Sequence, residues 1–294
     1  TVRGRMKERF VLETVHVSFQ KIQNSNARKF DKGSLLEAMA CFVNNYFSMQ
    51  PFEPPSSMER FLPVIIDVLE SKAKECCLSF IKSFNYLNIY TMICSDSKLE
   101  DLFDSHQELF RKMFKWMMSV SQIFDYSLSI LTNMTSVSNS RVVVELQQMG
   151  LVSVINYILM TTKTCLTKVN FINLIKNVLD VSPDIDRQIL DSENFWTRMV
   201  ETVETSGVIN GQLFKLIEKS TSLLDTLTFQ RNNELLKILI GLLIQLLPRE
   251  PVIANKVMII DSFSNVFEIQ ILLKSSSTEF DSLNFSEFWT QDLA

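Results

Sequence analysis

Asparagine and aspartate side chains recur at similar intervals along the chain, each set among largely apolar neighbours. The central positions are separated by 40, 48, 44, 48 and 40 residues and are Asn45, Asn85, Asn133, Asn177, Asp225 and Asn265. An Asn amide carries both hydrogen-bond donors and an acceptor, so it can pair with the N–H and C=O groups of a polypeptide. The chemistry that such a series predicts is recognition by hydrogen bonds, without the making or breaking of covalent bonds.

Residues that perform catalysis or bind metals do not cluster in the sequence. His16 and His106, the two histidines, are far apart, and the adjacent Cys76 and Cys77 point to different faces of a helix. The chain has only six glycines, and Gly207 and Gly211 are wrongly spaced for a phosphate-binding loop and are not followed by a Lys-Ser/Thr pair. The sequence therefore predicts no catalytic residue, no metal site and no cofactor. The alternative is a Cys nucleophile oriented by a His in the folded chain.

Helices must position the Asn and Asp side chains, because apolar residues recur at helical spacing nearly throughout the chain. Six Gly and seven Pro are too few for the tight turns that a β protein of this length needs. A period in the forties carried by helices is typical of stacked helical repeats, in which each unit buries its apolar face against its neighbours. We predict an all-α fold, with an irregular helical bundle as the alternative.

Two stretches of the chain resemble armadillo repeats. Residues 61–69 are similar to the second helix of such a repeat, because Pro63 leads into an apolar run that ends in Leu. Residues 140–180 show the order of a short first helix, a second helix and a long third helix, and the next unit repeats it. The expected helices are 140–148, 151–160, 164–180, 184–190, 195–203 and 208–228. A last unit is expected to fuse its first two helices over 232–247, with a third helix from about 251 to 273.

The resemblance implies a right-handed superhelical solenoid of the armadillo or HEAT-like kind. It covers residues 35–273 in about five to six helical repeats, within a domain that spans 1–274 and begins with an atypical N-terminal cap. Residues 275–294 are predicted to form a separate acidic and aromatic C-terminal segment. Residues 285–289 resemble the acidic amphipathic motifs of transactivation segments, and the alternative is a terminal helix that folds back to cap the solenoid.

The resemblance also gives the Asn series a role. In armadillo proteins, Asn residues on the third helices line an inner groove and hydrogen-bond the backbone of an extended peptide. By position, Asn133, Asn177 and Asn265 match this pattern best, and Asn85 is a further candidate. The alternative for each is a residue at a helix end that satisfies a local turn.

One departure from the family pattern bears on the kind of peptide. Importin-type armadillo proteins carry a Trp one turn before the Asn, which sandwiches basic side chains. The corresponding positions here are Ser129, Asn173 and Asp261. The sequence therefore argues against the binding of nuclear localisation signals.

A dense aromatic patch on one predicted helix is a second candidate contact surface. Phe110, Phe114 and Trp116 lie close together with Met117 and Met118. The set covers more than one face of the helix, so Phe114 and Trp116 are candidate anchors for a partner. The alternative is that these side chains pack in the core.

Composition limits the class and the location of the protein. A hydrophobic content of 46% argues against disorder, and a net charge of −4 argues against direct nucleic-acid binding. Five cysteines, an odd number, favour free thiols in an intracellular reducing compartment, cytoplasm or nucleus. No apolar run reaches the length of a membrane span, and the first residue is not Met, as expected of a piece of a longer protein.

These observations together predict a non-catalytic scaffold for protein–protein interaction. A peptide or helical segment of a partner protein is expected to lie along the groove of the solenoid. The alternatives are a structural assembly or dimerisation domain of a larger multiprotein complex, in which the chain forms a homodimer, and a helical enzyme or regulatory subunit.

Overall fold

The fold is all-α throughout the part of the chain that the structure describes, which confirms the predicted fold class. Thirteen α-helices and two short 3₁₀ helices have bounds within these residues, which contain no strand. The computed structural model describes residues 58–71, 78–136, 140–206 and 211–276 together with Val17 and Lys21. The predicted N-terminal cap, Asn45 and nearly all of the C-terminal segment lie outside the described residues, so the predicted domain boundaries stay predictions.

The chain divides into two compact units. Unit 1 comprises Thr1–Tyr157 and Lys168–Val181. Unit 2 comprises Ile158–Thr167 and Ser182–Ala294. Each unit has its own buried apolar side chains.

The helices of unit 1 pack in succession. They are α1 (Leu62–Ser71), α2 (Leu78–Ile93), α3 (Asp96–Ser105), α4 (Gln107–Ser119), α5 (Phe124–Ser136), α6 (Ser140–Gln148), α7 (Leu151–Thr161, whose last residues belong to unit 2) and α8 (Val169–Val178). A 3₁₀ helix, Ser121–Ile123, precedes α5. Helix α2 packs against α1 and α5, and α5 packs against α4 and α8. Each helix therefore buries its apolar face on its neighbours, as the repeat period predicts.

An aromatic cluster fills the core between α2 and α4. The Trp116 ring meets the Phe80 and Phe84 rings edge-on, at centroid separations of 5.1 and 5.8 Å. Edge-to-face pairs of this kind contribute about 0.5–1.5 kcal/mol each beyond the burial of their area. The Tyr86 hydroxyl donates a hydrogen bond to the Met58 carbonyl.

Turn residues follow two helices of unit 1. Helix α6 has the predicted bounds, and Gly150 joins it to α7 with a φ of 103°, in a region that favours glycine. Helix α8 is shorter than the helix expected over 164–180, because Cys165–Thr167 forms a separate 3₁₀ helix. Asp180, with a φ of 72°, follows the end of α8. In unit 2, Ser182 then begins the next helix, with its side chain accepting a hydrogen bond from the Ile185 N–H.

Unit 2 contains five complete helices in the described ranges. They are α9 (Pro183–Leu190), α10 (Glu193–Ser206), α11 (Gly211–Ser222), α12 (Thr226–Leu246) and α13 (Ile253–Ser276). Helix α10 packs against α12, and α13 packs against both α11 and α12. A 3₁₀ helix, Cys165–Thr167, packs against α10.

Helix α11 ends earlier than the sequence predicts. The expected helix over 208–228 stops at Ser222, and a short break separates it from α12. Asp225 lies in this break as the N-cap of α12, where its Oδ1 accepts a hydrogen bond from the Thr228 N–H at 2.7 Å. The break arises because a carboxylate satisfies a free N–H at a helix start better than it serves in a helix interior. Asp225 is therefore a cap and lies outside the third helix of its repeat.

No single helix among the described residues is both long and apolar enough to cross a membrane. One bent pair, Arg141–Gln148 with Leu151–Thr161, meets the criteria of length and composition when its two helices are taken together.

Candidate functional site

Asn side chains connect successive helices of unit 1. Asn133 on α5 donates from Nδ2 to Thr91 Oγ1 on α2 at 3.0 Å. Asn177 on α8 donates from Nδ2 to Thr135 Oγ1 at 3.3 Å and to the Thr132 carbonyl at 3.2 Å, both on α5. Each Asn thus reaches the helix of the preceding repeat, and the same contact recurs one repeat later.

These contacts orient the two amides. Because Nδ2 of each Asn donates a hydrogen bond to a Thr residue, the Oδ1 atom of the same amide points away from that Thr. No donor among the described residues reaches Oδ1 of Asn133 or Asn177, and both side chains are half-buried. Two oriented acceptors therefore lie at comparable positions on α5 and α8. An acceptor of this kind can receive a hydrogen bond from a peptide N–H.

Thr132 adds a further link between the same two helices. Its hydroxyl lies 2.8 Å from the Leu128 carbonyl on α5 and 2.8 Å from the Asn170 carbonyl on α8. Thr132 is buried, so a hydrogen bond to α8 satisfies a polar group that would otherwise be costly in the core. The spacing between α5 and α8, and with it the placement of Asn177, is fixed by polar as well as apolar contacts.

The same contact occurs independently in unit 2. Asn265 on α13 donates from Nδ2 to Thr221 Oγ1 on α11 at 3.3 Å. Both helices are the third helices of their repeats, and they pack directly against each other. The three best-matching Asn residues of the sequence thus make one recurrent contact, in which a third helix binds the one before it.

Asn85, the remaining Asn candidate, lies on α2 and is half-buried. Its side chain or backbone takes part in a further interaction. It occupies the helix that also carries Thr91, the acceptor for Asn133. Asn85 therefore belongs to the same succession of third helices.

The aromatic candidates lie in the core. Phe114 and Trp116 on α4 are 5% and 7% exposed. Trp116 is held by the edge-on contacts with Phe80 and Phe84. Their placement favours core packing over an exposed anchor, because little of either ring is accessible to a partner.

The positions one turn before the three Asn residues are polar in the structure as in the sequence. Ser129 and Asn173 are half-buried on α5 and α8, and Asp261 is exposed on α13. These small polar and acidic groups offer no aromatic surface one turn before the three Asn residues. A sandwich for cationic side chains needs such a surface.

Burial disfavours the thiolate form of the two described cysteines. Burial raises the pKa of Cys94 to about 11 and the pKa of Cys165 to about 11. Both are free thiols, and at neutral pH they are therefore protonated and poorly reactive. Within the described ranges, no group of three or more His, Cys, Asp and Glu side chains could hold a metal ion. Cys41, Cys76 and His16 lie outside those ranges.

The threonine partners were missed by the sequence analysis. Thr91, Thr135 and Thr221 stand 42, 42 and 44 residues before the Asn residues that bind them. A search for polar pairs separated by one repeat period would have found all three. An Asn among apolar residues is a distinctive sequence signal, whereas a Thr in a helix is not, because Thr occurs there for many other reasons.

Comparisons with known proteins bear on the fold. No family model and no curated protein matches the sequence. Among solved structures, an engineered protein gives a TM-score of 0.63 at 12% identity, over 87% of this chain and 97% of that one. A designed armadillo repeat protein gives a TM-score of 0.60 at 9% identity, over 86% of this chain and 99% of that one. A second engineered protein gives 0.59 at 10% identity, over 87% and 98% of the two chains.

These matches define the class of the protein. The chain has an armadillo-like helical repeat fold, which confirms the resemblance read from residues 61–69 and 140–180. At such low identities the likeness concerns the fold alone. The role of the site must therefore be argued from the residues of this chain.

Proposed function

We propose that the protein is a non-catalytic scaffold that binds a peptide segment of a partner protein across the third helices of unit 1. The observation that carries this proposal is the pair of oriented amide oxygens of Asn133 and Asn177. An extended peptide presents N–H groups along its length, and acceptors on successive helices complement them. A helical segment satisfies its own N–H groups, so the extended form fits this surface better.

Other properties support the same proposal. The net charge of −4 is unfavourable for direct contact with nucleic-acid phosphates, which leaves protein as the partner class. The free thiols Cys94 and Cys165 suit an intracellular reducing compartment, either cytoplasm or nucleus. Asn265 in unit 2 offers a further acceptor of the same type, oriented by Thr221.

Selected peptides test this function. Peptides are chosen from a random library on the folded chain, and their affinities are measured for the wild type and for Asn133→Ala combined with Asn177→Ala. A hydrogen bond contributes about 0.5–1.5 kcal/mol, so the loss of two acceptors should weaken binding about tenfold. A folded double variant that binds every selected peptide within twofold of the wild type would overturn the proposal.

A matched control separates binding from folding. Thr91→Val combined with Thr135→Val removes both intramolecular hydroxyl acceptors while keeping both Asn side chains. This control should keep most of the affinity. If this control loses as much peptide affinity as the double Asn variant, the Asn–Thr hydrogen bonds act only through the fold.

Backbone chemistry provides the sharpest test. An ester that replaces one peptide bond of the ligand removes a single N–H donor without changing the side chains. The ester should weaken binding to the wild type but not to the double Asn variant. Equal loss in both proteins would mean that the Asn oxygens do not accept from the peptide backbone.

A further inference from the structure

Helix α13 is apolar on two opposite faces. One face is buried and includes Ile259, Val266 and Ile269. This face belongs to the packing of α13 within unit 2, where the helix contacts α11 and α12. The position of α13 in its unit is therefore accounted for without the opposite face.

The opposite face has the spacing of a coiled-coil seam. Two helices pack knobs into holes when residues at two positions of a seven-residue repeat, called a and d, are apolar. Five of the six seam positions of α13 are apolar, with side chains that are 41–78% exposed, and the sixth is an exposed Ser. The seam positions follow one another at intervals of four and three residues in turn and are Ile253, Val257, Ile260, Ser264, Phe267 and Ile271.

This stripe is suited to a second helix. It runs for about 27 Å along α13, at 1.5 Å per residue. Single exposed apolar residues are normal on a protein surface, whereas a contiguous apolar stripe marks a contact site. The seven-residue period keeps the stripe facing one partner helix along its whole length. Because α13 is already folded in unit 2, little ordering of the helix is required when it pairs.

Charges beside the seam complement those of a second copy of the chain. In a parallel coiled coil, the position that precedes a faces the position that follows d on the other helix, five residues further along. Lys256 precedes Val257, and Asp261 follows Ile260. Lys256 of each copy therefore faces Asp261 of the other, and symmetry makes this ion pair twice. We propose that two copies of the chain dimerise by pairing their α13 helices as a parallel coiled coil.

The antiparallel arrangement brings like charges together. When two antiparallel copies of α13 oppose Ile260 to Ser264, the two Asp261 carboxylates lie beside each other, which is unfavourable. In the parallel pair, Glu268 faces Phe263 of the other copy and meets no like charge. Charge therefore selects the parallel orientation.

The polar residue of the seam agrees with the parallel register. Ser264 takes an a position, so in a parallel pair it faces the same residue of the other copy. A hydroxyl both donates and accepts, so the two Ser264 side chains can form a hydrogen bond with each other. A single polar a residue fixes the register of a coiled coil at some cost in stability.

Sedimentation equilibrium of the full chain tests the proposal. The wild type should change from the mass of one chain to the mass of two as its concentration rises, and no further. A chain that stays monomeric up to about 0.1 mM overturns the proposal, because the exposed face of α13 would then serve a different occupant. Assembly beyond two copies overturns it as well.

Matched substitutions locate the contact. Ile260→Asp places a charge in the seam of both copies and should raise the dissociation constant of the dimer at least about tenfold. Ile238→Asp on α12 is the control, because Ile238 and Ile260 are both 51% exposed. Its dissociation constant should stay within about twofold of the wild-type value. An unchanged constant for Ile260→Asp, or an equal rise in both variants, overturns the proposal. Circular dichroism verifies that both variants are folded.

Charge exchange tests the predicted ion pair. Lys256→Glu places a carboxylate opposite Asp261 of the other copy and should weaken the dimer. Asp261→Lys in the same chain should restore the affinity, because it recreates the pair with its charges exchanged. Failure of the second substitution to restore affinity would contradict the parallel register.

Photocrosslinking determines the orientation. p-Benzoylphenylalanine replaces Ile271, the chain is mixed with an isotope-labelled wild type, and links between copies are mapped by mass spectrometry. A link to residues 268–274 of the labelled copy is expected. A link near Ile253 would show antiparallel pairing, and a link outside α13 or none between copies would also overturn the proposal.

Dimerisation and peptide binding can be distinguished. The variant with Asn133→Ala and Asn177→Ala retains every residue of the α13 seam, so it should dimerise like the wild type. Ile260→Asp, conversely, should bind the selected peptides with unchanged affinity for each chain. Failure of one proposal therefore leaves the test of the other intact.

Discussion

The two units of the chain use one contact between third helices but differ in what surrounds it. In unit 1, which contains the Asn133–Thr91 contact, an apolar core is built on the Trp116 ring and its edge-on neighbours. In unit 2, the Asn265–Thr221 contact accompanies several side chains that bind backbone carbonyls. Both units combine apolar packing with side-chain hydrogen bonds to backbone carbonyls, as Thr132 and Asn177 make them in unit 1. The comparison teaches that unit 2 adds a guanidinium, that of Arg198, to these donors.

The carbonyl contacts of unit 2 occur at helix ends. Arg198 donates from Nε to the Leu159 carbonyl at 2.8 Å and from Nη2 to the Met160 carbonyl at 3.2 Å. Trp196 Nε1 and Asn232 Nδ2 donate to the Leu190 carbonyl at 2.7 and 3.3 Å. The last carbonyls of a helix have no partner within it, so these side chains supply one. Single substitutions in each unit measure how much these contacts contribute to the free energy of unfolding.

The largest effect is expected in the aromatic core of unit 1. Trp116→Ala removes a buried ring that contacts Phe80 and Phe84, and such substitutions cost about 3–5 kcal/mol in the free energy of unfolding. Hydrogen exchange of peptides from α2 and α4 measures the loss within unit 1. The corresponding change in unit 2, Trp196→Phe, keeps an aromatic ring and should cost less. A loss for Trp116→Ala no larger than the loss for Trp196→Phe would contradict the contribution assigned to the Trp116 ring.

The next largest effect is expected at the Arg198 guanidinium in unit 2. Arg198→Met keeps a long apolar chain but removes three hydrogen bonds, to the Leu159 and Met160 carbonyls and to Glu201. The side chain is only 11% exposed. Because hydrogen bonds to charged groups contribute about 1.5–3 kcal/mol, a loss of about 2 kcal/mol is expected, as measured by hydrogen exchange in α10.

Unit 1 offers the control for Arg198. Arg141 makes ion pairs with Asp104 and Glu145, but its side chain is 60% exposed. Exposed ion pairs contribute little to stability, so Arg141→Met should have a small effect. Equal losses of unfolding free energy for Arg198→Met and Arg141→Met would show that burial of the guanidinium does not increase its contribution to stability.

A smaller effect is expected at the cap of α12. Asp225→Ala removes an N-cap and should cost about 1 kcal/mol at neutral pH. The hydrogen bond from the Thr228 N–H lowers the pKa of Asp225 below its ordinary value. The folded-state pKa is therefore below the unfolded one, so this stabilisation is present at pH values above the unfolded pKa. It is lost as the pH falls through the folded pKa.

Titration of the cap effect provides the measurement. The difference in unfolding free energy between wild type and Asp225→Ala should shrink as the solution is acidified below the ordinary Asp range, about pH 4. Asp225→Asn caps a helix equally well but does not titrate. The difference in unfolding free energy between Asp225→Asn and Asp225→Ala should therefore stay constant with pH. If it varies with pH as strongly as the difference between wild type and Asp225→Ala, the pH dependence does not come from the Asp225 carboxylate.

The smallest effect is expected at the Asn–Thr contact between third helices, which both units contain. A double-mutant cycle with Asn133→Ala and Thr91→Val should give a coupling of about 0.5–1 kcal/mol, the contribution of one neutral hydrogen bond. Asn265→Ala with Thr221→Val should give a similar coupling in unit 2. Urea denaturation of the four variants in each cycle measures both values. A coupling near zero in either unit would show that the contact does not stabilise that pair of helices.

Much of the fold could be predicted because its signals are local. The bounds of α6 follow from apolar spacing and from Gly150, whose position allows the turn into α7. The length of α11 was mispredicted because apolar spacing continues past Ser222. The local sequence does not distinguish an N-cap at Asp225 from a position inside the third helix, and only the hydrogen bond from the Thr228 N–H identifies the cap.

The candidate site could be predicted only in part. Asn133, Asn177 and Asn265 were found by their spacing, but the Thr hydroxyls that orient them lie 42 or 44 residues away. The apolar character of Phe114 and Trp116 was equally visible. Periodicity identifies an apolar face but not the element that covers it, so burial of these rings became evident only in the folded chain.

The sequence by itself determined the all-α class, the repeat period and most helix ends. These features depend on interactions among residues a few positions apart, such as caps, turns and the 3.6-residue apolar period. The tertiary structure decided which polar groups of neighbouring repeats meet and which way each Asn amide points. These contacts span a full repeat, and their geometry is fixed only when the apolar faces of the intervening helices have packed.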